Sequence, residues 1–520
     1  MSAPDGKPTG SPVAPSAFVP SLKDLFKPHV DSFNFMMGGG GATSSSHDLV
    51  DTSQTSGLAT AVQSLPVMQL DERAELGTPS IRFWIEQVQV GYPTKQDDAA
   101  DTRLFPNECR ERGLSYCAPL MVTFNRRVGD GPVETYTKRM GLLPIMVRSS
   151  RCHLQHASKD ELLKRHEEAE EQGGYFIVNG NERMVRLLIT TKRHYPLAMV
   201  RPAFGKRGPE YTNLAVQMRC VRPDQSSKTV TVHYLQTGSL NLRFSYRKNE
   251  YFLPVMLVLK ALMDVTDRQI YDHIIQGQSN NAFLTDRVEL MLRAAHTTKL
   301  KDRKAILSYI GKTFRIVLRP ENSVSDEQIG RDLIRENLFV HCCSQGSEEL
   351  NNKQKYFILI HMIQKCYALA QGQIKPDNPD ALHCQEVLLP GHLYNMILKE
   401  KLEECLVGIK QQILLDLRLN PSKVQLSKDK YFRSLVDIQK DIGRAVHYFI
   451  VTGNLISPSG LDLMQVSGYT VMAEKLNYFR YLSHFRSVHR GQFFTTMKTT
   501  EVRKLLPESF GFFCVSTIVK

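Results

Sequence analysis

The segment that most narrows the possible folds is Gly173–Ile189, which reads GGYFIVNGNERMVRLLI. Tyr175–Val178 is an unbroken apolar run, which suits a strand buried on both faces. Asn179-Gly180-Asn181 supplies residue types that accept left-handed backbone in a tight hairpin turn, and Met184–Ile189 carries the chain back. Such a hairpin needs cover on both sides.

The flanking sequence offers that cover. Glu161–Glu171 is a charged helical run punctuated by Gly173-Gly174. From Ile81 to about Val147, short alternating segments (IRFWIEQVQV, PLMVTF) separated by Pro and Gly read as strands. Three alternating stretches between 213 and 246 (LAVQMRCV, TVTVHYLQ, SLNLRFSY) read as a small antiparallel sheet. Its exposed face is expected to carry Arg219, His233 and Arg243 or their neighbours. After Tyr251 the pattern turns helical, over 251–275, 283–297, 326–340, 350–372, 390–418 and 434–451. Strands first and helices later give an α+β class. A chain of 520 residues is too long for one core, so several domains are expected. Residues 1–20, rich in Pro, Gly and Ser, read as a disordered tail, and 38–57, opening GGGGATSSS, as an exposed insert.

Composition excludes some functions. No apolar run reaches the ~18 residues of a membrane span, and the N-terminus lacks a secretory apolar core, so a cytosolic or nuclear setting is expected. Ten cysteines are scattered without a Cys-x-x-Cys pair, which argues for reduced, mostly buried thiols rather than zinc ligands. The net charge is +13, and its distribution is uneven. Residues 181–250 hold thirteen Lys/Arg against four Asp/Glu, and residues 471–520 hold eight against three. Positive surfaces suit phosphate backbones, although charge alone does not distinguish them from a solvated basic face.

Several chemical motifs fail on inspection. Gly311-Lys312-Thr313 resembles the end of a phosphate loop, but Ile306 stands where the first glycine is required; Gly311 reads instead as a helix C-cap followed by a strand. His166-Glu167-Glu168-Ala169-Glu170 lacks the second histidine of a zinc-protease helix. The carboxylates Glu167, Glu168, Glu170 and Glu171 read as a solvated acidic face. No Asp-x-Asp-x-Asp cluster supplies ligands for two-metal nucleotidyl transfer. The stretch Lys475–Arg490 interleaves bases with aromatics, which suits contact with phosphates and unpaired bases. The alternative is an amphipathic helix with Leu476, Phe479, Leu482 and Phe485 facing a core, and both can hold at once.

These residues also carry a family likeness. Glu170–Arg183 resembles the Gly-Gly-Tyr-Phe-Ile-x-Asn-Gly-x-Glu-Lys/Arg signature of the second-largest (beta-type) subunits of DNA-directed RNA polymerases. Pro106–Arg110 with Ser115-Tyr116, Thr452–Leu455 and Leu482–Arg486 are similar to further family elements in the right order. Arg207–Thr212, Cys220–Arg222 and Arg503–Phe512 look most like RNA polymerase I. The resemblance implies a protrusion (21–195 and 385–450), a lobe between them (196–384), a fork region (451–514) and a non-family tail (515–520). It implies a subunit that walls the DNA channel and the fork of the transcription bubble during ribosomal RNA synthesis, in the nucleus and nucleolus. Partners would be the largest subunit, other polymerase subunits, DNA and RNA, with no membrane. No catalytic or metal-binding residue is expected here. Mg2+ would belong to the assembled polymerase, and zinc to the C-terminal half of relatives. The family continues past Gly511–Cys514, so the resemblance implies a truncated form, inactive alone; the alternative is a non-catalytic nucleic-acid or factor-interaction protein. Residues expected near nucleic acid are Lys475, Arg480, His484, Arg486, His489 and Arg490.

Overall fold

A computed structural model of the chain describes residues 22–38, 56–70, 80–95, 102–297, 300, 302–318, 324–342, 347–419, 424, 428–463 and 465–490. The tail at 1–20, most of the 38–57 insert and everything after Arg490 lie outside the described residues.

The alternation in IRFWIE puts Ile81, Phe83 and Ile85 on one face of a strand. That strand, Ile81–Val90, sits second in a four-stranded antiparallel sheet ordered Met68–Leu70, Ile81–Val90, Cys117–Val128, Val133–Pro144. Its apolar face is closed by helices from both ends of the described chain, chiefly Leu22–Met37, Pro390–Leu419, Asp429–Ile438 and Ile442–Thr452. The stretch expected as one helix over 434–451 is two, parted where Asp441 caps the second. A short helix, Pro106–Arg112, also interrupts the strand-rich region, started by Pro106 and stopped by Gly113 at φ 66°.

A second core is built from a continuous stretch of chain. Five antiparallel strands run in the order Asn249–Pro254, Leu240–Tyr246, Ser227–Leu235, Tyr211–Val221, Leu197–Val200. Helices Val255–Leu262, Asp267–Ile275, Ala282–Thr297, Arg303–Leu318, Asp326–Asn337 and Glu348–Gln371 cover it. Its sheet does not expose Arg219, His233 and Arg243 as expected. Arg219 is buried against Glu386 and Thr190, His233 is buried between Phe204 and Tyr211, and Arg243 is mostly covered beside Glu250. Alternation alone implies one wet face, but the helix Pro202–Gly205 and the Gln385–Leu388 strand cover it.

Gly311 is not a helix cap. It lies inside Arg303–Leu318, where a Cβ would meet the Asp326 carbonyl oxygen at 1.8 Å. The glycine permits two helices to cross closely, and Gly330 plays the same part from Asp326–Asn337, against the Leu307 carbonyl. The predicted helix over 251–275 likewise begins as strand, and Thr266 starts a second helix with a capping box.

The eight cysteines among the described residues are all buried. No described helix is long and apolar enough to cross a membrane.

Two small sheets tie the chain together. One orders Gln385–Leu388, Leu187–Thr191, Val488–Arg490; the other orders Thr470–Met472, Asn181–Val185, Phe176–Val178. The return of the signature hairpin is therefore split between them, broken at Arg186, whose amide bonds the Tyr469 carbonyl instead of a strand partner.

Candidate functional site

Asn179 and Gly180 take the left-handed conformation at φ 50° and 74°, closing the hairpin as the sequence predicts. Gly173 and Gly174 are also left-handed, at φ 74° and 87°. A Cβ on Gly173 would strike the Val147 carbonyl oxygen at 2.3 Å, and one on Gly174 would press the Phe485 ring at 3.1 Å. Glycine is required here because two segments distant in sequence, the turn at Val147 and the 478–486 helix, approach the backbone itself.

The run expected as a helix to Glu171 stops early. Ser158 and Glu161 form a capping box, and the helix covers only Lys159–Lys164. His166 turns the chain at φ 58°. That turn brings Glu167 and Glu171 inward, so only half of the acidic series is a solvated face: Glu168 and Glu170 are exposed as expected, whereas Glu167 and Glu171 are buried.

Glu167 is paired with Arg110, 57 residues upstream, and Glu171 is linked to the same guanidinium through Tyr175. The Arg110 guanidinium bonds Glu167 Oε2 and Glu182 Oε1, each at 2.7 Å, and donates to the Tyr175 hydroxyl at 2.7 Å. Tyr175 donates onward to Glu171 Oε2 at 3.0 Å, and Glu171 Oε1 accepts the Gly173 N–H at 2.8 Å. Burial opposes the Arg110 charge, but Tyr175, Glu167 and Glu182 outweigh it and raise its pKa. Burial pushes the Glu167 carboxyl up despite Arg110. Two of the family-like elements, Pro106–Arg110 and Glu170–Arg183, thus meet in one charge network.

The 475–490 segment docks on this network. Asn477 caps the helix Tyr478–Arg486, and Phe485 packs against Phe26 with ring centroids 4.4 Å apart and edge-on to His29. The predicted apolar face is only partly right. Phe485 and Tyr481 are buried, whereas Leu476 and Phe479 are 85% and 82% exposed. Leu476 precedes the helix, which starts at Tyr478, and Phe479, six residues before Phe485, falls about 120° round the axis from it.

The six expected cations do not form one row. Lys475 lies 3.4 Å from Glu168 and 3.3 Å from Glu182, over the Tyr175 and Tyr481 rings. Burial works against its charge, but Glu182, Glu171 and Glu168 raise its pKa. Arg480 pairs with Glu474 at 2.9 Å. His484 is buried with Nε2 lacking a hydrogen-bond partner among the described residues, and burial lowers its pKa. Burial, then Arg186, lowers that of half-buried His489. Arg486 is exposed, and Arg490 ends the strand Val488–Arg490.

Sequence reasoning missed Arg110, Glu167, Glu171 and Glu182 as a unit. The available signal was a row of charges flanking an apolar run, which a solvated face does not need.

The family described as RNA polymerase beta subunit matches residues 24–435, and RNA polymerase Rpb2, domain 3, matches 471–517. The chain belongs to the RNA polymerase beta subunit family. Its relatives are polymerase I subunits. It is 44% identical over 499 residues to the probable DNA-directed RNA polymerase I subunit RPA2 of Schizosaccharomyces pombe, covering 95% of this chain and 41% of that protein. It is 42% identical over 509 residues to subunit RPA135 of Saccharomyces cerevisiae (96% and 41%). It is 39% identical over 499 residues to subunit RPA2 of Homo sapiens (95% and 41%). The chain therefore spans about two fifths of the length of the curated relatives it matches.

Proposed function

We propose that this chain acts as part of the second-largest subunit of a nuclear RNA polymerase I, supporting DNA-templated synthesis of ribosomal RNA. Its work is positional: a protrusion (21–195 and 385–450), a lobe (196–384) and a fork (451–514) line the DNA channel and the edge of the bubble. The chemistry belongs to the assembly with the largest subunit and other polymerase subunits, where Mg2+ is held, and zinc belongs to the further length of the relatives. The site of action is the nucleus and nucleolus.

The observation that carries the reading is the convergence of Pro106–Arg112, Gly173–Val185 and Tyr478–Arg486 on the Arg110 network. That network holds the fork helix rigidly where strands would separate. Arg486 is the exposed cation left for phosphate there, half-buried His489 offers a neutral ring, and Arg490 is next in the chain; Lys475, Arg480 and His484 are close by but engaged or buried.

The purified chain should bind forked DNA with steep salt dependence and incorporate no nucleotide. RNA synthesis by the isolated chain would overturn the reading. The second reading, a non-catalytic interaction protein, draws on the exposed Leu476, Tyr478 and Phe479. Co-purification with the largest subunit supports the first, and failure to associate supports the second.

A further inference from the structure

The outer hairpin of the five-stranded sheet turns in two residues. Tyr246 pairs with Asn249, so Arg247 and Lys248 are the whole turn. Both take left-handed backbone, at φ 49° and 68°. A two-residue turn with both φ values positive is the type usually filled by Asn-Gly, because a Cβ is disfavoured there. Arg-Lys is a poor filling by that standard, and strain held at two adjacent cations points to use rather than stability.

The surroundings agree. Both residues are exposed, without an ion pair among the described residues, and the Arg247 guanidinium lies 5.3 Å over the Tyr246 ring. Behind the tip, Arg207 grips both oxygens of Glu250 at 3.0 and 3.1 Å, and Arg243 adds a third hydrogen bond at 2.6 Å. One carboxylate thus serves two guanidiniums, leaving the hairpin positive. Lys248 reaches beside Gly460, where a Cβ would stand 3.5 Å from its Cε, so the tip lies next to the loop that leads into the 470–490 segment.

We propose that the Arg247–Lys248 tip, backed by Arg207 and Arg243, is a second nucleic-acid contact that takes the phosphodiester backbone. A protruding tip flanked by polar Asn249 and Glu250 suits a ligand read by charge alone, whereas an acidic peptide needs side-chain pockets. The inference rests on the reading above only for the identity of the ligand.

The test compares the full chain with Arg247→Asn/Lys248→Gly, which relaxes the turn while removing both charges. Anisotropy titrations of fluorescein-labelled forked DNA across a salt series should show weaker binding and a log–log salt slope shallower by about 1.8, as expected when two fewer phosphates are neutralised. The melting temperature should not fall, and Arg247→Lys should keep the parent slope. An unchanged slope overturns the inference alone. An unchanged slope with abolished binding to poly-glutamate assigns the tip to acidic peptides and also overturns it. A parent chain that binds no DNA overturns this inference and the proposed function together.

Discussion

The Arg110 junction and the Arg247–Lys248 hairpin are both rich in cations, yet they handle charge in opposite ways. At the junction, Arg110, Lys475 and Arg480 each meet a carboxylate, and the charge is consumed in fixing three chain segments. At the hairpin, charge is displayed on a strained turn with one carboxylate behind it. A basic stretch of sequence therefore says little about where a positive surface lies. The placement of carboxylates in the fold decides it.

The contrast can be broken most severely at Arg110. Arg110→Ala strands buried Glu167 without its partner and should cost about 3 kcal/mol, read from the urea midpoint. If the loss is no larger than for an exposed arginine, the junction is not the keystone described.

Acid should weaken both regions, because each holds a buried neutral histidine. Burial lowers His29 at the junction to about 4, and burial with Arg207 and Arg243 lowers His233 behind the hairpin to about 3. The unfolded rings titrate near 6.5, so the unfolded state takes up protons first. Stability is whole above about pH 6.5 and falls as the pH drops towards 4, by about 2 kcal/mol per ring at pH 5. Melting temperatures across that window check the sign; a flat profile would mean these rings are solvated.

The mildest change sharpens the other side. Glu250→Gln should alter stability by only about 0.5–1 kcal/mol, since Glu250 is well exposed. It should instead tighten forked-DNA binding about twofold by removing the negative charge beside the tip.

The hairpin at 175–181 was legible because an unbroken apolar run and Asn-Gly act locally. The helix Arg303–Leu318 was not, because Gly311 answers to Asp326 on another helix rather than to its own neighbours. The burial of Glu167 was equally hidden, since it is paired with an arginine far upstream. The 475–490 cations were legible as a cluster of residue types, but not as partners of Glu168, Glu182 and Glu474. Periodicity reports what a segment does alone, and these residues act across segments.

The strands Leu187–Thr191 and Gln385–Leu388 pair directly, Thr191 opposite Gln385. The chain thus leaves for the five-stranded sheet and its helices, and comes back, through one narrow zipper. Such a stem permits the excursion to fold as a unit during synthesis, before the later helices arrive to complete the four-stranded sheet's cover. It also makes the stem a natural splice point: a short turn joining 191 to 385 would leave the remaining strands in register.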